Sequence, residues 1–88
     1  MDDEQKREVG KRIKKLLKEH QLNQADLARE LMKRENSTFD EANMRVSRII
    51  TGKSEADYDF WNCLYDIFGA NIGYLIAEKG EPYVKPFK

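Results

Sequence analysis

Apolar residues recur at helical spacing along most of the chain, and no segment shows the strict alternation of a β-strand. The first stretch places Val9, Ile13 and Leu16 on one side and leaves its lysines and arginines on the other. Four further segments repeat the three- and four-residue spacing. The pattern predicts five helices, at about residues 4–19, 24–33, 39–51, 57–68 and 72–77.

Capping residues set the expected ends of several helices. Asn23 is a good N-cap for the second helix, and Thr38 followed by Glu41 has the spacing of a capping box for the third. Ser37 with Asp40 is an equivalent option one residue earlier. Gly52 and Gly69 are placed to end the third and fourth helices, since glycine readily adopts the left-handed conformation found there. These signals favour an all-α domain of five helices.

The apolar stripes predict which side chains form the core. On the third helix the stripe is Phe39, Ala42, Val46, Ile49 and Ile50. On the fourth helix it is Tyr58, Trp61, Leu64, Tyr65 and Phe68. Cys63 lies beside that second stripe, and we expect it to be half-buried.

Length and composition narrow the class of protein. The 88 residues suffice for one domain, which we place at residues 1–77, with residues 78–88 as a tail that is flexible or associated with a dimer. A single cysteine excludes an internal disulfide framework and fits a reducing compartment. An acidic start and the lack of a long apolar run argue against a signal peptide and a membrane span. We therefore expect a soluble cytoplasmic protein.

Charge is unevenly distributed although the net charge is zero. Residues 1–53 carry 13 basic and 10 acidic side chains, and residues 54–88 carry three and six. Residues 6–18 alone hold seven basic residues and one acidic residue. Such a run is either a solvated helix face or an edge that contacts phosphates.

Two segments resemble the helix-turn-helix of the Cro/CI (phage repressor-like) family. They are residues 22–31 (LNQADLAREL) and residues 46–55 (VSRIITGKSE). Residues 9–17 (VGKRIKKLL) and 64–76 (LYDIFGANIGYLI) are similar to the family's first helix and to its fourth and fifth helices. The resemblance implies a five-helix lambda-repressor-like fold and a sequence-specific transcriptional regulator, a repressor of phage or mobile-element type, that reads the major groove of double-stranded DNA with its third helix.

The resemblance and the helical geometry together predict the contact residues. Contacts to DNA phosphates are expected from Gln24, Lys53, Lys11, Arg12 and Thr51, and contacts to bases from Asn43, Met44, Arg45, Ser47 and Arg48. Gln24 stands at a helix N-terminus, where its backbone N–H and its side-chain amide can both reach a phosphate. Arginine binds guanine bidentately, so Arg45 and Arg48 should stand free in solvent.

The segment before the third helix departs from the family. Fourteen residues separate Leu31 from Val46, roughly eight more than the family has, and the usual glycine of the turn is missing. We expect a third helix extended by about one turn, preceded by a lengthened polar turn. Asp40 and Glu41 either stabilise the positive end of this helix or face the groove and repel phosphate.

Part of an apolar set near the C-terminus must cover the helical core, and the remainder exceeds what a monomer of this size needs, which suggests a homodimer. Its members are Ile72, Tyr74, Leu75, Ile76 and Tyr83, together with Val84 and Phe87. A dimer would present two recognition helices one turn of DNA apart and read a pseudo-palindromic operator.

Catalytic and metal-binding chemistry is not indicated. The chain has one histidine, one cysteine, no repeated ligand spacing and no phosphate-cradling glycine loop, so we expect no enzyme, cofactor, metal or small-molecule substrate. The zero net charge and the acidic pair Asp40 and Glu41 favour one alternative. In that alternative the same fold is an antitoxin-like or antirepressor-like module that binds a protein instead of DNA.

Overall fold

The computed structural model describes residues 1–84, and within them the chain forms five α-helices. These are α1 (Asp3–Glu19), α2 (Gln24–Glu35), α3 (Phe39–Ile50), α4 (Tyr58–Phe68) and α5 (Ile72–Ala77). Over the same residues the only β-pairing is an isolated bridge between Ala70 and Tyr83. The predicted all-α class and the five predicted helices are therefore confirmed.

Hydrogen bonds at the helix ends confirm the predicted caps. Asn23 and Asp26 form a reciprocal capping box at α2, with both side-chain-to-backbone bonds at 2.9 Å. Thr38 and Glu41 form the same arrangement at α3. The hydroxyl and backbone N–H of Thr38 both donate to the Glu41 carboxylate, and this holds the pKa of Glu41 below its ordinary value. Gly52 follows α3 with a φ of 80°, in the left-handed region.

The connection between α2 and α3 is short, so the predicted lengthened turn is wrong. Helix α2 continues to Glu35, two residues beyond its expected end, and Asn36 closes it in the left-handed conformation. Only residues 36–38 lie between the two helices. The additional residues between Leu31 and Val46 therefore lie in the helices and not in the turn. Asn36 ends α2 and Thr38 begins α3, so the turn has only three positions.

Helix α1 packs against α3 and α5, while α2 packs against α3 and α4. The buried side chains of all five helices form one core, in which Ala28 is fully buried. Helices α1 and α3 approach each other closely at Gly10. A Cβ atom at Gly10 would lie 2.1 Å from the carbonyl oxygen of Ile50, so the two backbones are in direct contact and only glycine fits there.

The buried face of α4 agrees only in part with the predicted one. Leu64 and Phe68 are buried as expected. Phe60 and Cys63 are fully buried, whereas Tyr58 is 77% exposed and Tyr65 is 40% exposed. Trp61 is half-buried at the edge of the core. Because α4 carries apolar residues on nearly every side, its spacing does not distinguish two faces about one residue apart. Burial raises the pKa of the Cys63 thiol, which therefore stays protonated.

The segment after α5 is fastened to its own domain up to the last described residue. The Asn71 side chain donates to the carbonyls of Lys79 (3.2 Å) and Glu81 (2.8 Å), and its backbone N–H donates to Pro82 (2.8 Å). The backbone N–H of Val84 donates to Gly69 at 2.8 Å. These hydrogen bonds attach residues 79–84 to the end of α4 and the start of α5.

Most of the predicted dimer set contributes to the core of its own chain. Leu75 is 2% exposed and is a core residue, and Ile72 and Tyr83 pack against the core. Tyr83 also stands edge-on to the His20 ring, with ring centres 5.7 Å apart. Tyr74 and Ile76 are half-buried. Val84 is 53% exposed. Leu75, Ile72 and Tyr83 are thus the part of the set that covers the core, and the homodimer stays a prediction; the prediction for Phe87 lies outside the described residues.

Candidate nucleic-acid interface

Helix α3 and the residues at its two ends line a shallow depression of about 620 Å³ on the outside of the domain. We call this the α3 surface. Its residues are Gln24, Asp40, Asn43, Met44, Ser47, Arg48, Thr51 and Lys53. All of them except Asp40 were predicted to contact DNA. The structure thus brings seven of the ten predicted contact residues onto one surface.

The burial of α3 explains why these side chains share a surface. Ala42, Val46 and Ile49 are buried and fix the inward side of the helix. The opposite side then carries a row at spacings of four, three and four residues, which we call the outward row: Asp40, Met44, Ser47 and Thr51. Met44 is 55% exposed, so a large apolar side chain faces solvent in the middle of this row.

Gln24 connects the start of α2 to α3. Its Nε2 donates to Asn43 Oδ1 at 3.1 Å and to the Asn43 carbonyl at 3.3 Å. The side-chain donors of Gln24 are therefore directed at α3, and its backbone N–H, at the first position of α2, is the group left for a phosphate. Asn43 accepts through Oδ1, and its two amide hydrogens have no hydrogen-bond acceptor among the described residues.

Arg45 is not on the α3 surface, which corrects the prediction that it stands free to contact bases. One end of its guanidinium pairs with Glu35 at the end of α2, and the other pairs with Asp57, the N-cap of α4. Its side chain is only 27% exposed. Arg45 therefore links α3 to α2 and α4 through ion pairs and stabilises the fold. The sequence could not reveal this, since Asp57 is distant along the chain.

The two predicted phosphate contacts on α1 point in different directions. Arg12 donates to the carbonyls of Leu75 and Ile76, both at 3.0 Å, and to Glu78 at 3.1 Å, so it caps the end of α5. This is incompatible with the phosphate contact predicted for Arg12 on the DNA side. Lys11 extends into solvent with 74% of its side chain exposed, 3.4 Å from Glu8.

Two lysines of α1 that were not predicted lie beside the α3 surface. Lys14 and Lys18 line an adjoining depression of about 570 Å³, which shares Gln24 and Thr51 with the α3 surface. With Arg7 and Lys11 they form one stripe, at spacings of four, three and four residues. The helical spacing of these basic residues indicates the α1 stripe in the sequence, whereas the number of basic residues alone does not.

The charge on this side of the molecule is predominantly basic. Among residues 1–84, none of the ion pairs involves Arg48, Lys53, Lys14 or Lys18. The acidic exception is Asp40, which is exposed on the α3 surface. Cations without intramolecular partners keep their full charge for a ligand, and a carboxylate among them restricts which ligand fits.

Comparison of the chain with protein-family models, with curated proteins and with solved structures found no match. Within residues 1–84, no helix is long and apolar enough to cross a membrane. In the same range, no group of three or more His, Cys, Asp or Glu side chains could hold a metal ion. The function proposed below is therefore based on the geometry of the α3 surface.

Proposed function

We propose that this protein is a sequence-specific regulator that binds double-stranded DNA through a lambda-repressor-like helix-turn-helix. In this proposal α2 and α3 form the motif, and α3 enters the major groove. The observation that carries it is the α3 surface, where seven of the ten predicted contact residues lie together and Arg48 and Lys53 have no ion pair among the described residues.

The size and chemistry of α3 suit a major groove. Twelve residues give a rod of about 18 Å, with a diameter that fits a groove about 12 Å wide. Arg48 has the forked donors that bind guanine bidentately, Met44 offers an apolar contact for a thymine methyl group, and Asn43 offers amide donors. Ser47 can donate or accept.

Phosphate contacts belong to the flanks of this surface. Lys53 lies just beyond the end of α3, the backbone N–H of Gln24 lies at the start of α2, and Lys14 and Lys18 lie on α1. Such contacts hold the protein in register without reading sequence. As a dimer the protein would read a pseudo-palindrome, as repressors of phage or mobile elements do.

The experiment selects bound duplexes from a random pool. It then measures the affinities of the Arg48→Ala and Lys53→Ala variants for selected and for random DNA. Arg48→Ala should weaken binding to selected DNA by about 1–3 kcal/mol and relax specificity at one base position. Lys53→Ala should weaken binding to both kinds of DNA alike. It should also reduce the slope of log affinity against log salt concentration by about 1.

Lys33→Ala is the matched control, because Lys33 is an exposed lysine of α2 paired with Glu30 and absent from the α3 surface. It should bind like the parent protein. Equal losses on selected and random DNA for both test variants would contradict the division into base and phosphate contacts.

A protein-interaction module is the second candidate, and Asp40 on the α3 surface favours it. A carboxylate beside phosphates is unfavourable, whereas it suits a basic partner protein. Binding to random duplex at several salt concentrations separates the two candidates. A DNA reader loses affinity steeply as salt rises, and a protein-binding module hardly binds duplex at all.

A further inference from the structure

Asp40 occupies a position that the contact residues predicted from the sequence did not include. It is the second residue of α3 and is exposed, and it begins the outward row that continues through Met44 and Ser47. Within residues 1–84 its carboxylate has no ion pair or side-chain hydrogen bond. Any ligand that covers the α3 surface therefore meets this charge.

The neighbouring acid performs the capping role that could otherwise explain Asp40. Glu41 accepts hydrogen bonds from the backbone N–H (3.2 Å) and the hydroxyl (2.8 Å) of Thr38, which completes the capping box. Asp40 takes no part in that arrangement, and it shares the row of Met44 and Ser47 instead. Asp40 lies in the first turn of α3, where a carboxylate also suits the positive end of the helix, but no capping hydrogen bond fixes its side chain.

The inference rests on the proposed function, in which the outward row faces the base edges and phosphates flank it. A carboxylate in this row can only accept hydrogen bonds, so the groups that suit it are the exocyclic amino groups of cytosine and adenine. Adenine N6 lies between two acceptors, its own N7 and the thymine O4. Cytosine N4 has one such neighbour, guanine O6, and the carboxylate is repelled less there.

We propose that Asp40 is a specificity-determining residue that selects a cytosine in each half-site of the operator. Its carboxylate accepts a hydrogen bond from cytosine N4 when the register is correct. At other sequences the charge faces an acceptor or stays unpaired in the groove, which costs affinity. Asp40 therefore also weakens binding to random DNA, and this accords with a chain whose net charge is zero.

The test compares Asp40→Asn with Asp59→Asn, each used to select duplexes from a random pool beside the parent protein. Asp59 is the matched control, because it is the exposed second residue of α4, as Asp40 is of α3, and it is absent from the α3 surface. Both changes remove one charge at the same position of a helix N-terminus. Circular dichroism and thermal unfolding confirm that each variant is folded.

We expect the parent protein and Asp59→Asn to select the same motif, with a fixed cytosine in each half-site. Asp40→Asn should select that motif with the cytosine position degenerate. Its discrimination between cytosine and other bases there should fall by about 5- to 100-fold, and its affinity for random duplex should rise several-fold.

Four results would overturn the assignment of Asp40. If Asp40→Asn keeps the cytosine preference, or if the position prefers adenine, DNA binding stands and the cytosine assignment fails. If Asp59→Asn changes binding as much as Asp40→Asn does, the effect is one of overall charge. If the parent protein enriches no duplex, the proposed function fails and this inference fails with it.

Discussion

Helices α3 and α4 are nearly equal in length, with 12 and 11 residues, and both begin at an N-cap whose side chain accepts a backbone hydrogen bond. Their sequences nevertheless differ in how well they indicate the buried face. The predicted stripe of α3 is the one that packs inward, whereas the predicted stripe of α4 includes Tyr58, which is 77% exposed.

The difference lies in where each helix places its polar residues. On α3 they gather on one side, because the outward row and Arg48 are kept apart from the apolar stripe. On α4 aromatic side chains occupy both faces, with Phe60 buried and Tyr58 and Tyr65 exposed. A helical pattern indicates a buried face only when the opposite face is polar.

The largest expected effect is the loss of an aromatic anchor from the buried face of α4. Phe60→Ala removes a fully buried ring and should lower the free energy of unfolding by about 3–5 kcal/mol. Tyr58→Ala, two residues away on the exposed face, should change it by less than about 0.5 kcal/mol. Denaturant unfolding measures both. Similar losses of unfolding free energy in the two variants would contradict the observed buried face and favour the stripe predicted from the sequence.

A smaller loss of stability is expected where α3 is held by main-chain contact. Gly10→Ala places a Cβ against the Ile50 carbonyl, and the overlap should outweigh the better helix propensity of alanine, for a net loss of about 1–3 kcal/mol. Because α3 must shift to admit the methyl group, DNA binding should fall by more than the unfolded fraction explains.

Gly73→Ala is the control for this contact. A Cβ there meets Asn71 Oδ1 at 3.4 Å, which is an ordinary contact, so the variant should keep its stability or gain up to about 1 kcal/mol. Thermal unfolding and duplex titration of both variants check the expectation. A Gly10→Ala protein as stable as the parent would show that α1 and α3 are not held at a fixed distance.

The smallest expected effect concerns the capping box of α3. Thr38→Ala should cost about 1 kcal/mol at neutral pH, since it removes an N-cap acceptor. Hydrogen bonds from Thr38 lower the pKa of Glu41 in the folded state, so Glu41 stabilises the fold above its unfolded-state pKa. That contribution is lost as the pH falls through the lower folded-state pKa.

The difference in stability between the parent protein and Thr38→Ala should therefore narrow in acid. Denaturant unfolding at neutral pH and at successively lower pH values follows the change. A difference that stays constant down to the acid limit of folding would mean that Glu41 does not exchange hydrogen bonds with Thr38.

Local chemistry explains how much of this structure could be predicted from sequence. The caps Asn23 and Thr38 act on residues three positions away, and both predictions are confirmed. Arg45 and Arg12 were misplaced because their partners, such as Asp57 and Leu75, are brought to them only by the folded chain. Helical spacing alone cannot distinguish a cation that binds its own fold from one that awaits a ligand.

The contact between Gly10 and the Ile50 carbonyl has a consequence for how such a surface can diversify. Two main chains touch there, so the distance between the α1 stripe and the outward row of α3 cannot be adjusted by exchanging side chains. If the protein binds DNA as proposed, substitutions along the row would alter which sequence is read, while Lys14 and Lys18 of the α1 stripe would stay in place. The side chains of the outward row can therefore vary, while the spacing between α1 and α3 is fixed by the main chain.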